Sequence, residues 1–478
     1  MASSSHTVVL PPLDQYMPRI YTNLFLVFDT VDPSHAVDKL KAGLQTLNQR
    51  LPYLKGRVFA TDGGRVALRW CPTDKEVELQ EMPIQGTVLF GTSLKTLQDE
   101  GAPLHYFPPS LSPLARVADL RSDSGAPVFA VNHTVLDGGL VVGISVQHNV
   151  MDGTGVVELI RFWAACTQPD PTDAATPTPD PDEPLHRSPL LRLATGHITQ
   201  NQHQAQPPRL SFSDLLARHP EFTLPSNSPP PATLPGAPLP KGTSKIFTFA
   251  TSKLEAVKAT LQSTTDTKRT AETTNSVLCA TIWSCITRVR AARRGQQGPG
   301  AVHSKLGFAI NGRARLDPSG QTLSTRPFLG NVNLYGLAAM SVSDLEHATT
   351  SYENLAAVVQ AIAGAIQRVT PGHVAEVMEL VEQAPDAGAL MPGWSSFHSA
   401  DVTVTSWANM GVYGADFGEG VGRPELMRVP EMQADGFAIV LPRKRAEGVA
   451  GCIEVVLVLH PEDVAALEGD AVWMGYLA

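Results

Sequence analysis

The stretch VNHTVLDGGLVVGISVQHNVMDGTG (131–155) contains His-x-x-x-Asp-Gly twice, at His133 to Gly138 and at His148 to Gly153. What each copy is attached to separates them. Asp137-Gly138 lies between two apolar runs, 128–136 and 140–146, and Asp-Gly in that setting signals a hairpin because glycine accepts positive φ. His133 then falls inside a strand. In the second copy the near-continuous apolar run 139–147 predicts a buried strand with His148 at its C-terminal end. A helix is predicted over 156–165, with Thr154 as its cap and Val156, Leu159, Ile160 and Trp163 inward. A histidine on such a mount is held by the sheet while its ring reaches a cleft, and an ordinary pKa of about 6.5 suits proton uptake at neutral pH. Asp152 either orients that imidazole or steadies the loop by pairing with a cation.

The rest of the chain bounds the possibilities. At 478 residues and 43% hydrophobic it exceeds the size of a single core, which rarely passes about 250–300 residues, so two domains are expected. A net charge of -9 argues against a nucleic-acid partner. With no basic leader and no long apolar run, the chain reads as soluble, unexported and without a membrane partner. Five cysteines form no CxxC pair and read as reduced residues of a cytoplasmic protein. The histidines show no HExxH or paired spacing, so no metal site is expected.

Proline-rich stretches at 167–184 and 224–242 mark a long crossover, interrupted by SFSDLLARH (211–219), a short capped helix. The expected division is 1–205, a linker 206–243, and 244–478. Val37, Leu40, Leu44, Leu47 and Leu51 form a helical stripe before the linker. After it, helices are predicted over 276–292 and 354–369, alternating with strands over 244–250, 305–312, 401–407, 436–442 and 452–460. The fold class is α/β, in two halves of similar size.

GGLVVGISVQHNVMDGTG resembles the GGxxxGxxxHHxxxDG segment of the BAHD acyltransferases and of the related condensation domains, with Gln147 replacing the first histidine of the pair. A distant segment, VTSWANMGVYGADFGEGVG (404–422), resembles the family's TSW and DFGWG, with Glu419 in place of tryptophan, a variation associated with the fungal branch. FLGNVNLYG (328–336) resembles its FGN segment, NGRARLDP (311–318) its basic strand, and 451–467 its terminal strand and helix. The resemblance implies two chloramphenicol-acetyltransferase-like domains, each a mixed sheet flanked by helices, with the active site at their interface, in a monomer. It implies acyl transfer from acetyl-CoA, bound as co-substrate, to an alcohol or amine.

It also implies roles. His148 is the general base and Asp152 pairs with Arg313 to hold its loop. Thr405 and Trp407 approach the reacting centre, where a hydroxyl and an indole N–H stabilise the oxyanion. Gly153, Asp416, Gly418 and Gly420 shape turns, and Phe417 packs. The donor's phosphates need a basic patch; Lys241, Ser244 and Lys245, or Arg443 and Lys444 within PRKR (442–445), are the candidates. Residues 16–28 and the neighbourhood of Phe397 are candidates for the acceptor pocket, or simply an edge strand and core. Two alternatives stay open: a condensation-like enzyme using a carrier-bound acyl donor or an intramolecular nucleophile, and a non-catalytic binding protein of the same fold.

Overall fold

The computed structural model describes residues 5–168, 178–200, 209–225, 242–264, 273–295, 302–317, 326–395, 399–444 and 451–478. Lys241, Phe397 and Arg445 lie outside them. Among the described residues no helix is long and apolar enough to cross a membrane.

Two mixed sheets organise the molecule. The first has five strands in the order Leu426–Arg428, Tyr21–Asp29, Gly139–Gln147, Phe129–Leu136, Leu79–Glu81. Gly139–Gln147 is buried at every position, as its unbroken apolar run requires of a strand covered on both faces. Its hairpin with Phe129–Leu136 turns through Asp137-Gly138, with Leu136 opposite Gly139 and Gly138 at φ +72°. The first His-Asp-Gly copy is therefore turn chemistry, and His133 is a buried strand residue. Tyr21–Asp29 is an interior strand rather than an edge, because Leu426–Arg428 crosses from the second half and pairs with Phe25–Val27.

The second sheet has six strands in the order Thr243–Ala250, Cys452–Leu459, Phe437–Val440, Val402–Ser406, His303–Asn311, Asn333–Ser341. Helices Thr274–Gly295 and Tyr352–Arg368 bring the apolar faces anticipated for them against its core. Helix Pro33–Arg50 does the same for the first sheet.

Two local expectations fail for identifiable reasons. Asp152, not Thr154, caps the helix Gly153–Cys166, since its carboxylate accepts from Gly155 N at 2.9 Å. The segment read as a basic strand instead forms a short helix, Arg313–Leu316, immediately after the strand His303–Asn311. Asn311 Oδ1 accepts from Arg313 N at 3.0 Å and closes that turn.

Candidate active site

His148 leaves the C-terminal end of Gly139–Gln147, and its backbone N–H donates to Ile20 O at 2.9 Å. The next residues are fixed by amide bonds. Gln147 Oε1 accepts from Asn149 N at 2.6 Å, and Asn149 Nδ2 donates to the carbonyls of Asp14 at 2.7 Å and Met17 at 3.0 Å. Gln147, the departure from the resembled motif, thus braces the loop that carries His148. Burial lowers the His148 pKa from its ordinary value; Asp152 opposes this and Arg116 adds to it. The imidazole is accordingly neutral at pH 7.

Asp152 is buried and bonded on both oxygens. Arg313 grips it in a fork, Nη1 to Oδ2 at 2.8 Å and Nη2 to Oδ1 at 3.0 Å, while Val332 N donates to Oδ2 at 2.9 Å. Burial works to raise its pKa, but Arg313 and the two backbone donors more than offset this, and the carboxyl is held below its usual range. Arg313 also donates to the carbonyls of Phe328 and Gly330 at 3.0 and 2.8 Å. The His148 loop is therefore locked to the segment 328–332.

Three buried residues that sequence reasoning missed extend the lock. Glu183 accepts from Leu329 N and Gly330 N, each at 2.8 Å, and from Arg187 Nε at 2.9 Å. Asp14 accepts from Asn331 Nδ2 at 2.7 Å and from Arg187 Nη1 at 3.2 Å, and Asn331 Nδ2 also reaches the His148 carbonyl at 3.0 Å. Burial raises the Asp14 carboxyl to about 6, with Arg187 and Asn331 restraining the rise. The only signal available beforehand was the lone Asp-Gln after two prolines at 11–15, with no local partner to give it meaning.

His148, Asp152 and Gly153 open onto a cavity of about 1390 Å³ that Thr405 and Trp407 also line. Among the described residues neither the Thr405 hydroxyl nor the Trp407 indole N–H has a protein partner. One wall is aromatic: Tyr16 meets Tyr335 edge to face at 5.4 Å, and Tyr335 meets Trp394 at 5.2 Å. Residues Tyr16 to Asn23, part of the stretch 16–28, contribute to the lining. Arg116 also lines the cavity; its guanidinium touches Met432 Sδ at 2.7 Å, and no carboxylate pairs with it among the described residues.

The donor-binding candidates lie elsewhere. Lys245 is ion-paired with Glu468 and Lys444 with Glu425 at 2.5 Å, while Arg443 donates to Asn409 Oδ1 at 3.0 Å. Ser244 exchanges hydrogen bonds with Met432, donating to its carbonyl and accepting from its N–H at 2.8 Å. None of these four lines the cavity, although Met432 does.

The DFGEG segment is also off the cavity. Phe417 is fully buried, edge to face with Phe28 at 5.3 Å and Trp163 at 5.6 Å. Its carbonyl accepts from Thr167 Oγ1 at 2.7 Å. Asp416 accepts from Gly418 N at 3.0 Å and Arg423 Nε at 3.2 Å. Gly418 and Gly420 have φ +83° and +87°, and a Cβ at either would collide with Gln168 or His35. The segment clasps the first half from the second, and Glu419 within it is exposed.

Comparison with known proteins agrees with the motifs. The model of the Transferase family matches residues 1–473. The chain is 31% identical to Trichothecene 8-O-acetyltransferase of Fusarium sporotrichioides, covering 99% of this chain and 98% of that one. Among solved structures it is similar to F. sporotrichioides TRI101 complexed with Coenzyme A and T-2, with a TM-score of 0.75 and 20% identity over 98% of this chain and 99% of that one. It is also similar in fold to Vinorine Synthase, with a TM-score of 0.60 and 16% identity over 99% and 98%. A family match over nearly the whole length, joined to a near full-length relative above 30% identity, shows that this chain is an acyltransferase of the Transferase family, the BAHD group.

Proposed function

We propose that this protein transfers an acetyl group from acetyl-CoA to a hydroxyl of a fungal specialised metabolite, with His148 as general base. One observation carries the reading: a half-buried, neutral imidazole, fixed by its strand, faces a large and largely apolar cavity. The names of its relatives support the choice of group, since they include a trichothecene 8-O-acetyltransferase and a trichothecene 3-O-acetyltransferase.

In this mechanism the acceptor hydroxyl donates to Nε2 of His148, because Nδ1 is buried against protein. His148 takes the proton as the oxygen attacks the thioester carbonyl. Charge gathers on the carbonyl oxygen, where the free Thr405 hydroxyl and Trp407 N–H supply donors. The C–S bond then breaks, the ester leaves, and His148 returns its proton to the departing thiolate. Asp152 and Arg313 never touch substrate in this scheme. They position the loop, helped by Gly153, while Asp416, Gly418 and Gly420 clasp the halves. Holding both substrates at one imidazole supplies much of the rate.

Arg116 is the cavity cation we assign to the anionic part of the donor. Ser244 is linked to that end through Met432; Lys245 and Lys444 would have to exchange carboxylate partners to contribute, and Lys241 and Arg443 complete the donor set expected from sequence. The reading includes a cytoplasmic monomer divided as 1–205, 206–243 and 244–478.

The test is mass spectrometry of products formed from acetyl-CoA and a panel of hydroxylated terpenoid and alkaloid acceptors, without any carrier protein. Acetyl esters are expected. Transfer that appears only with a carrier-bound acyl group would replace this reading with the condensation-like one.

A further inference from the structure

Away from the cavity, ionisable side chains from two distant segments converge. His219 follows the helix Phe212–Arg218, and Pro220 turns the chain so that Glu221 comes back beside it. Nδ1 of His219 is 2.9 Å from Glu221 Oε1. His373, in the first turn of the helix Pro371–Gln383, brings Nε2 to 3.0 Å from the same oxygen. The two imidazoles meet edge to face at 4.6 Å. His219 and Glu221 are buried, and one donor atom from each of the three residues lies within 4.8 Å of the others.

Two features point to a cation at this focus rather than to hydrogen bonds alone. His373 Nε2 is buried and makes no hydrogen bond, although Glu221 Oε1 is close enough: its direction is wrong for donation. A buried ring nitrogen whose single close contact is a poorly directed one is costly, and a metal between the three atoms would satisfy it. His219 presents its second nitrogen, Nε2, to Glu376 Oε2 at 3.2 Å, and Arg218 holds the other Glu376 oxygen at 2.9 Å. A histidine that gives its far N–H to an anchored carboxylate is set in tautomer and raised in basicity, the arrangement that metal-ligating histidines use.

The spacing is within reach as well. Metal–nitrogen bonds of about 2.0–2.1 Å in a tetrahedral site place ligand atoms about 3.3 Å apart, so the two nitrogen–oxygen separations of 2.9 and 3.0 Å need to open by a few tenths of an ångström, and the third pair already lies within 4.8 Å. Two imidazoles and one carboxylate favour zinc-class ions over magnesium or calcium, which prefer all-oxygen shells. We infer that His219, Glu221 and His373 form a binding site for a divalent transition-metal ion of the zinc class, with Glu376 orienting His219 and water in the fourth position. No local spacing announces the cluster, because His219 meets Glu376 on a helix 157 residues away.

The site staples one wall of the cavity. The strand Phe222–Thr223 pairs with Met391–Pro392, and Thr223, Leu224, Met391 and Pro392 line the cavity. The ion would fix the first of these strands to the helix Pro371–Gln383, and so act structurally.

The experiment uses the full chain without a histidine tag, stripped with a chelator, returned to zinc and desalted. Elemental analysis and titration against a chromophoric chelator measure retention. One zinc per chain is expected, with a melting temperature at least about 2 °C above that of protein returned to magnesium. His373→Ala and Glu221→Gln should each lose the retained ion, whereas His303→Ala, at an exposed strand end, should keep it. His373 is the safer truncation because its ring is partly exposed, and circular dichroism verifies that the variant is folded. Wild-type protein that retains no zinc overturns the inference, as does retention undiminished in both variants, which would mark the ion as adventitious.

Discussion

Arg313 holds Asp152 through two hydrogen bonds, at 2.8 and 3.0 Å, across 161 residues of sequence, and in doing so ties the His148 loop to the segment 328–332. Both side chains are largely buried, so removing one partner strands a charge. Arg313→Ala is expected to cost about 3–5 kcal/mol in denaturant unfolding, with most of that lost in a cycle on the Asp152→Asn background. Equal losses on both backgrounds would show that the two residues act independently.

The pH profile follows from the His148 environment. Its pKa is lowered, so the neutral base persists below the ordinary value of about 6.5. The acid limb of kcat/KM should therefore fall at a pH below 6.5. The linked effect on stability has the same sign: between the folded and unfolded pKa values the unfolded chain binds more protons, so this residue's contribution is full above about 6.5 and is lost as pH falls. A limb centred above 6.5 would contradict the lowered pKa of the ring.

Arg116 is expected to act on the donor. Arg116→Ala should raise KM for acetyl-CoA about tenfold or more, while Lys245→Ala and Lys444→Ala, each removing an already paired cation, leave it nearly unchanged. Because Arg116 also depresses the His148 pKa, the acid limb should move upward in the Arg116 variant. A KM effect confined to the lysine variants would reverse the assignment.

Gly307 makes room for Trp394. A Cβ there would lie 1.9 Å from the indole, whose N–H is fixed to Thr403 Oγ1 at 2.8 Å. Gly307→Ala should push Trp394 off the cavity wall and change KM for the acceptor by several-fold or more, with KM for acetyl-CoA preserved. Steady-state kinetics with each substrate varied in turn decides this; a change in the donor alone would place Trp394 at the other end of the cavity.

Sequence carried the fold wherever a local pattern carried the physics. The run 139–147 could only be a covered strand, and Asp137-Gly138 between two apolar runs could only be a turn. The strand Leu426–Arg428 was invisible, because three residues crossing between halves leave no periodicity. The same distinction holds in the site. His148 and Asp152 sit within one motif, but Arg187 gains its meaning from Asp14 and Glu183 from the amides of Leu329 and Gly330, all across long separations. Local charge did not single out the cavity's cations: Lys245 and Lys444 drew attention and are ion-paired away from the cavity, whereas Arg116, isolated in SPLARVAD, lines it together with Arg19.

The central claim is that one imidazole, His148, removes the acceptor's proton. Replacing it by alanine and measuring turnover of acetyl-CoA with a competent acceptor tests this most directly. A fall in kcat of at least about 100-fold is predicted, with an unchanged melting transition and the pH limb abolished. Turnover at the wild-type rate in the folded variant would contradict it.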